Sequence, residues 1–328
     1  MDGHAVFQPG NRSKPPALAF ANRFGRYAPE TERDVRKVEV RDEALRSIFK
    51  VWESIPTTEP VVIPTYYMEL LRAVKDIEYS AHDVERFVLA LEGYQDEKKV
   101  YYSATGYFLS ALINNCRDSD FTLNVGYLKI TYLGYQNTKN IVINGSAGHS
   151  LGTWMKSGSI TVLGDTDSHV ACEMEGGEIL VKGNASNNAC YRMTGGKVVI
   201  EGNAQGQVGD HMLEGSVIVE GNAGFQAAYC MAGGFLWIRG DVGTDLGCFM
   251  KDGIVLVDGN AVERAGYKLK GGKIRISGNA GKEVGAAMLG GELHIDGSYE
   301  SLRDAHSYDY GTVPGGRIYH AGRLIVGE

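Results

Sequence analysis

The sequence predicts a mainly β protein, a parallel β-helix built from stacked coils, preceded by a small α-helical domain. Two observations predict the β-helix. A glycine recurs every nineteen residues from Gly126 to Gly297 without an insertion, and apolar residues keep fixed places between these glycines. A fixed period of this size is the signature of a solenoid, in which neighbouring repeats stack. Helical spacing of apolar residues between residues 41 and 116 predicts the domain in front.

One repeat shows why a coil is expected. Lys273-Ile-Arg-Ile276 alternates polar and apolar side chains, which indicates a half-buried strand, and Gly278-Asn-Ala-Gly281 is a turn sequence. Nineteen residues are too few for a strand, a helix and two turns, so each repeat is one coil. Stacked strands lie ~4.8 Å apart, which predicts a rod of roughly 43 Å. One column expected inside is Met155, Met174, Met193, Met212, Met231, Met250, Leu269 and Met288.

Two further columns bear on the turns. A second glycine precedes each strand, as at Gly234, where we expect a corner with positive φ. The aspartates of Asp165-Thr-Asp167 resemble calcium ligands, but Asn or Ser replaces Asp165 in most coils, so we interpret this column as turn residues that bond their own backbone. A leucine-rich repeat would require Leu-x-x-Leu-x-Leu and an asparagine ladder, and we find neither pattern.

Several of these segments resemble a known superfamily. Ile143-Asn-Gly-Ser-Ala-Gly-His-Ser-Leu-Gly152 and Gly164-Asp-Thr-Asp-Ser-His-Val-Ala171 resemble the C-terminal domain of the glutamate synthase large subunit. The segment from Gly278 to Gly291 is equally similar to the glycine-repeat subunit of formylmethanofuran dehydrogenase. Both belong to the glycine-repeat (GXGXG) β-helices, and the resemblance covers roughly the last 200 residues of the chain. It implies a right-handed β-helix that braces the catalytic parts of a large oxidoreductase and has no catalytic residues itself.

The chain divides into three predicted parts. Residues 1–40 are predicted as an extended N-terminal arm, whose aromatic residues Phe20, Phe24 and Tyr27 could dock on a partner or on the rod, with a flexible tail as the alternative. Residues 41–120 form the helical domain, with Thr65 as a candidate helix cap and Ser80 or Asp83 opening the next helix.

Residues 121–328 form the β-helix. A degenerate first coil from Phe121 is expected to cap one end of the rod. A loop over Ser298–Pro314, with Tyr299, Tyr308 and Tyr310, precedes a last coil and is expected to cover the other end.

Composition narrows the function classes. The net charge is −7, and neither residues 1–120 (16 basic, 19 acidic) nor residues 121–328 (17 basic, 21 acidic) are basic, so no nucleic-acid partner is expected. No apolar run has the length of a membrane span and no signal segment opens the chain. Five cysteines, an odd number, suggest reduced thiols and a cytoplasmic location.

Candidate chemical groups are few. Cys172 and Cys248 share a column four coils apart, too far for a disulfide or a shared metal, and Cys190 lies in a column that admits only small side chains. We therefore interpret the cysteines as core residues. His211 follows Asp210, which could orient it, but a solvated turn histidine is the simpler interpretation. No catalytic residue, metal ligand or cofactor-binding residue is predicted in this chain.

One outward column is unusual because it is apolar on five adjacent coils. Outward residues elsewhere are charged, such as Lys182 and Glu201, and a contiguous apolar patch usually marks a contact surface. We predict an interface centred on Trp237, with the chain's own helical domain as the alternative cover. The predicted interface residues are Leu180, Val199, Ile218, Phe235, Trp237, Ile254 and Leu256.

Two functions are consistent with these patterns. The first is a non-catalytic structural subunit of a multi-subunit oxidoreductase, either glutamate synthase-like or similar to the scaffold of formylmethanofuran dehydrogenase. Its partner subunits would carry flavin, iron–sulfur or molybdenum/tungsten cofactors, or the chain would form a homo-oligomer. The second is a free-standing enzyme with a site between the helical domain and the β-helix.

Overall fold

The chain divides into two compact units, Met1–Glu43 and Ala44–Glu328. A computed structural model describes residues 32–56, 63–94, 103–302 and 315–327, with side chains from residue 43 onward. The predicted arm with Phe20, Phe24 and Tyr27 lies outside these ranges, as do Tyr308 and Tyr310. In the first unit, the described residues belong to the start of the first helix, α1 (Glu32–Ser54). The second unit contains the remaining helices and the whole β-helix around one continuous core, from Ile48 to Ile318.

Four α-helices precede the strands in the described ranges: α1 (Glu32–Ser54), α2 (Ile63–Val74), α3 (Ala81–Leu91) and α4 (Ser103–Asn115), with a 3₁₀ turn at Glu92–Tyr94. Helix α2 begins before Thr65, with Pro64 in its first turn, so Thr65 is not the cap that we predicted. Ser80 does open α3, and its N–H and O–H both donate to the Asp83 carboxylate. None of the helices in the described ranges combines the length and apolar character that a bilayer crossing requires.

The strands stack in chain order and confirm the parallel β-helix, with about nine coils. Strands β1 to β8, β10, β12, β13 and β14 form one twelve-stranded sheet, and β9 pairs with β11 in a second sheet. Residues nineteen apart face each other, as Ile274 faces Val255. The strands are β1 (Asp120–Gly126), β2 (Asn140–Gly145), β3 (Ser159–Val162), β4 (Glu178–Val181), β5 (Thr194–Ile200), β6 (Glu214–Val219), β7 (Ala232–Ile238), β8 (Asp252–Val257), β9 (Ala261–Glu263), β10 (Lys273–Ile276), β11 (Ala280–Lys282), β12 (Glu292–Ile295), β13 (Arg317–His320) and β14 (Arg323–Val326).

The predicted inward columns form the core. The strand positions represented by Val217 and Val219 and the methionine column are buried throughout. A second ladder of parallel bridges runs through the small-residue column from Ala147 to Tyr299, on another side of the coil. Each buried aliphatic side chain stabilises the coil by about 1.5–3 kcal/mol, so stacking identical positions builds a long core from short repeats.

Tight turns form the third side of each coil. In one coil the Cys172 N–H donates to the His169 carbonyl and the Met174 N–H donates to the Ala171 carbonyl, which closes two overlapping turns. His169, Ala171 and Glu173 all have positive φ, and the same three positions do so in every following coil up to Ala287. The predicted corner before each strand is also confirmed, because Gly234 has φ +83° and a Cβ there would lie 2.7 Å from Met212 Cε.

An asparagine and aspartate ladder joins the coils on the outside, and it corrects two sequence interpretations. Asn203 Oδ1 accepts from the Asn222 N–H at 2.7 Å, and Asn222 Oδ1 accepts from the Asp241 N–H at 2.8 Å. These side chains therefore bond the backbone of the next coil and not their own, and an asparagine ladder is present after all. It consists of Ser146, Asp165, Asn184, Asn203, Asn222, Asp241, Asn260, Asn279 and Ser298.

The predicted first coil is present, because β1 pairs in parallel with β2, but the helices and not this coil cover the first end of the β-helix. Helix α3 packs on β1, where Glu85 accepts from the Thr122 N–H. From α4, Ser110 accepts from the Tyr135 N–H, and Asn114 donates to the Tyr135 and Gln136 carbonyls. The first coil has no coil before it, so these side chains satisfy backbone groups that a preceding coil would otherwise bond.

The other end closes with a hairpin. Strand β13 pairs in parallel with β12 at a shift of 25 residues, as the sequence predicts, since Glu292 faces Arg317. Ala321 and Gly322, both with positive φ, then turn the chain into β14, which pairs antiparallel with β13. Part of the predicted covering loop, residues 303–314, lies outside the described ranges.

Candidate interaction surfaces and functional side chains

The predicted interface residues lie side by side on one face of the main sheet. The register pairs Leu180 with Val199, then continues through Ile218 and Trp237 to Leu256 on strands β4 to β8. The flanking Phe235 faces Ile254 one column away. Ile254 is 46% exposed and the other six are half-buried. We call these seven residues the apolar stripe.

Trp237 is held in place by its neighbours in the chain. Its Nε1–H donates to Asp258 Oδ1 at 3.0 Å, and the Arg239 guanidinium lies 3.9 Å from the centre of its ring. The Phe235 ring stands edge-on at 6.5 Å. The largest side chain of the apolar stripe is therefore preorganised, which lowers the entropic cost of packing it against another surface.

Charged and aromatic side chains bound the apolar stripe toward the C-terminal coils. After Leu256 the same column continues with Arg275, paired with Asp296 at 2.8 Å, and with His294, stacked on Tyr319 at 4.4 Å. In the adjacent column the pKa of Glu292 is lowered, chiefly by its hydrogen bond with His294. The stripe thus has a polar border, as protein interfaces commonly do.

Four cysteines lie on the turn side of the coils, Cys116 follows the end of α4, and all five are free thiols. Cys190 is fully buried in the predicted small-residue column, where a Cβ on Gly152 would lie 2.5 Å from Ile179 Cδ1. Burial raises the pKa of all five thiols, to about 11 for Cys172 and about 12 for Cys248. No group of three metal-ligating side chains occurs within the described ranges.

The structure confirms that Asp210 can orient His211. The Asp210 carboxylate oxygen Oδ1 lies 2.5 Å from His211 Nδ1, and Asp210 is only 6% exposed. Burial raises the pKa of Asp210, and the hydrogen bond with His211 opposes that rise. The carboxylate therefore holds one ring nitrogen of His211 and leaves the other available.

The sequence interpretation missed an aromatic ladder on the turn side. Successive rings lie 5.8 to 6.4 Å apart between centroids along five coil-to-coil steps. From Tyr191 onward two adjacent columns supply the rings alternately, so each column repeats every 38 residues instead of every nineteen, and a search at the shorter period does not find it. His169 lies outside both columns. The rings are His169, Tyr191, His211, Tyr229, Phe249 and Tyr267.

A cavity of about 270 Å³ lies beside the start of this ladder, between helices and the first coils. Its lining is rich in aromatic rings, with one carboxylate, Glu173. Sequence patterns give no sign of it, because its residues are far apart in the chain. They are Ile63, Tyr107, Tyr132, Tyr135, Ser150, Thr153, Trp154, His169, Cys172 and Glu173.

Comparison with known proteins agrees with the repeat. Residues 127–264 match the family described as the GXGXG motif, which spans the coils from just after β1 to the turn after β9. No curated protein matches the chain.

Proposed function

Because residues 127–264 match the GXGXG motif family and fold into the coils of a parallel β-helix, we propose that the chain is a non-catalytic structural subunit of a multi-subunit, glutamate synthase-like oxidoreductase. In this role the β-helix is a rigid rod against which catalytic subunits pack. Flavin, iron–sulfur or molybdenum/tungsten cofactors then belong to those partners.

The apolar stripe carries the proposal. It places seven apolar side chains side by side on five adjacent strands, and stacked strands lie ~4.8 Å apart, so the stripe is about 19 Å long. Its centre combines Trp237 with Arg239, two residue types that dominate binding energy at protein interfaces. Helix α3 packs on β1, whereas the stripe starts on β4, and the stripe side chains are half-buried or exposed in the described structure.

The experiment is affinity purification of the tagged full chain from its native cells, followed by identification of the proteins that co-purify. We expect oxidoreductase subunits with the parent chain and their loss with Trp237→Glu, because a carboxylate buried in an apolar interface is strongly disfavoured. Phe225→Glu is the matched control, because Phe225 is also a large exposed aromatic residue but lies off the stripe.

The outcomes separate the alternatives. Partners retained by Trp237→Glu, with a melting temperature like that of the parent, would remove the stripe as the interface. Co-purification of a molybdenum or tungsten enzyme instead of an amidotransferase or flavin subunit would favour the scaffold of the formylmethanofuran dehydrogenase type. Turnover by the purified single chain would favour the free-standing enzyme.

A further inference from the structure

The cavity beside the first coils is lined by aromatic rings that hold one another in place. Tyr107 stacks on Tyr132 at 4.6 Å with 21° between the planes, and stands edge-on to Tyr135 at 4.9 Å. Tyr135 lies 5.6 Å from Trp154. Tyr107 and Tyr135 are buried, whereas Tyr132 and Trp154 are half-buried. The two inner rings thus fix the two outer rings, whose surfaces remain accessible at the cavity.

The charge of the lining is negative. Glu173 is its one carboxylate, and the lining includes no lysine or arginine. Burial, together with nearby His149, lowers the pKa of His169, which favours its neutral form. Burial raises the pKa of Cys172 to about 11, so its thiol is neutral as well. No side chain in the lining therefore compensates the Glu173 charge.

Aromatic faces and a carboxylate together favour one class of ligand. A cation within about 6 Å of a ring centre is attracted by the negative face of the ring, and aromatic cages recognise alkylated ammonium groups in this way. A neutral apolar ligand would leave the Glu173 charge uncompensated, and an anion would be repelled by it. A volume of about 270 Å³ suits a small organic molecule.

We propose that this cavity, lined by Tyr107, Tyr132, Tyr135, Trp154 and Glu173, is a binding site for a small alkylated ammonium cation. The site draws on both parts of the second unit, because Tyr107 comes from α4 and Trp154 and Glu173 come from the coils. Binding there would also stabilise the junction between the helices and the β-helix. The proposal needs no partner protein and does not rest on the proposed scaffold function.

The test uses the purified full chain and two probes of nearly the same shape. Choline has a quaternary ammonium group, and 3,3-dimethyl-1-butanol has an uncharged carbon in its place. In isothermal titration calorimetry at constant ionic strength, we expect choline to bind at one site per chain and the alcohol to bind at least about tenfold more weakly. Equal binding of the two probes, or no saturable binding of choline, would overturn the proposal.

Two variants locate the site. Glu173→Gln and Trp154→Leu should each weaken choline binding at least about tenfold, because one removes the countercharge and the other removes a ring face. Glu175→Gln is the control, since Glu175 is two residues away, pairs with Lys156 and does not line the cavity. Glu173→Gln preserves the shape of the side chain, so unchanged choline affinity in this variant would overturn the assignment even if Trp154→Leu fails to fold.

Discussion

At the scale of single residues, Cys190 shows how backbone conformation and available space restrict the side chain at one position of the coil. Its φ is +61°, a conformation that glycine adopts easily, and glycine or alanine fills the same place in the other coils. The side chain points into the core, where a Cβ on Gly247 would lie 2.3 Å from Ile274 Cδ1. The thiol of Cys190 is larger than the hydrogen atom or methyl group at this position in the other coils, and it is fully buried.

This burial predicts a pH dependence of stability. The pKa of Cys190 is raised by burial, so the fold favours the neutral thiol. That contribution is fully present below the ordinary thiol pKa of 9.0 and is lost as the pH rises from there through the folded-state pKa. We expect the free energy of unfolding to fall above pH 9, by about 1.4 kcal/mol per pH unit for one such thiol.

Urea unfolding between pH 7 and 10 measures this fall. Cys190→Ala should show a shallower decline than the parent, because alanine does not titrate and already occupies this column at Ala171 and Ala228. Cys230→Ala is the comparison, since Cys230 is only half-buried. The same decline in the parent and in Cys190→Ala would contradict the prediction.

At the scale of structural elements, the turn sides of the coils carry two ladders with different chemistry. The asparagine and aspartate ladder gives every coil a side-chain acceptor for a backbone N–H of the next coil, as Asn222 does for Asp241. The aromatic ladder instead joins neighbouring coils through ring contacts, as where Tyr229 stands edge-on to Phe249. Both ladders result from the stacking of the coils, which places side chains of neighbouring coils next to each other.

Replacing one member of the asparagine ladder should have a measurable cost. Asn222→Ala leaves the Asp241 N–H without its acceptor, and we expect a loss of about 0.5–1.5 kcal/mol in the free energy of unfolding. Asn222→Ser should recover part of the loss, since Ser146 serves as an acceptor in the same column. Gln205→Ala, an exposed amide in the neighbouring turn and outside the ladder, is the control; a loss as large there would contradict a role for the ladder.

At the scale of the whole second unit, the helices terminate the β-helix by supplying its missing hydrogen-bond partners. Asn114 is central, because it donates to the carbonyls of Tyr135 and Gln136 and accepts from the Thr138 N–H. An uncapped solenoid end would expose a row of unpaired backbone groups. The hairpin of β13 and β14 has the corresponding position at the other end.

Removing this cap contact should loosen the first coil and leave distant coils intact. We expect Asn114→Ala to lower the free energy of unfolding by about 1–3 kcal/mol, because it leaves backbone groups without partners. Hydrogen exchange should rise at residues 135–138 and stay low in β6 to β8. Asn115→Ala is the control, since Asn115 bonds Val74 and Tyr79 within the helices; equal exchange of the first coil in both variants would count against the cap.

The sequence by itself determined the fold, because its signal is periodic. A nineteen-residue repeat, an inward column such as that of Met212 and a glycine before each strand are local patterns, and stacking identical coils converts each of them into a continuous ladder. The outward apolar stripe could also be predicted from the sequence, because Ile218, Trp237 and Leu256 occupy the same position in successive repeats. For the same reason the corners and the small-residue column of Cys190 could be assigned correctly.

Only the tertiary structure decided what depends on contacts between coils or between distant segments. Whether Asn222 bonds its own turn or the next coil cannot be read from its place in the repeat, and the aromatic ladder is hidden because its period spans two coils. The cap by α4 and the aromatic cavity bring together residues as far apart as Tyr107 and Glu173. Periodicity fixes which residues stack, but it does not fix what packs against the first coil, because the repeat ends there.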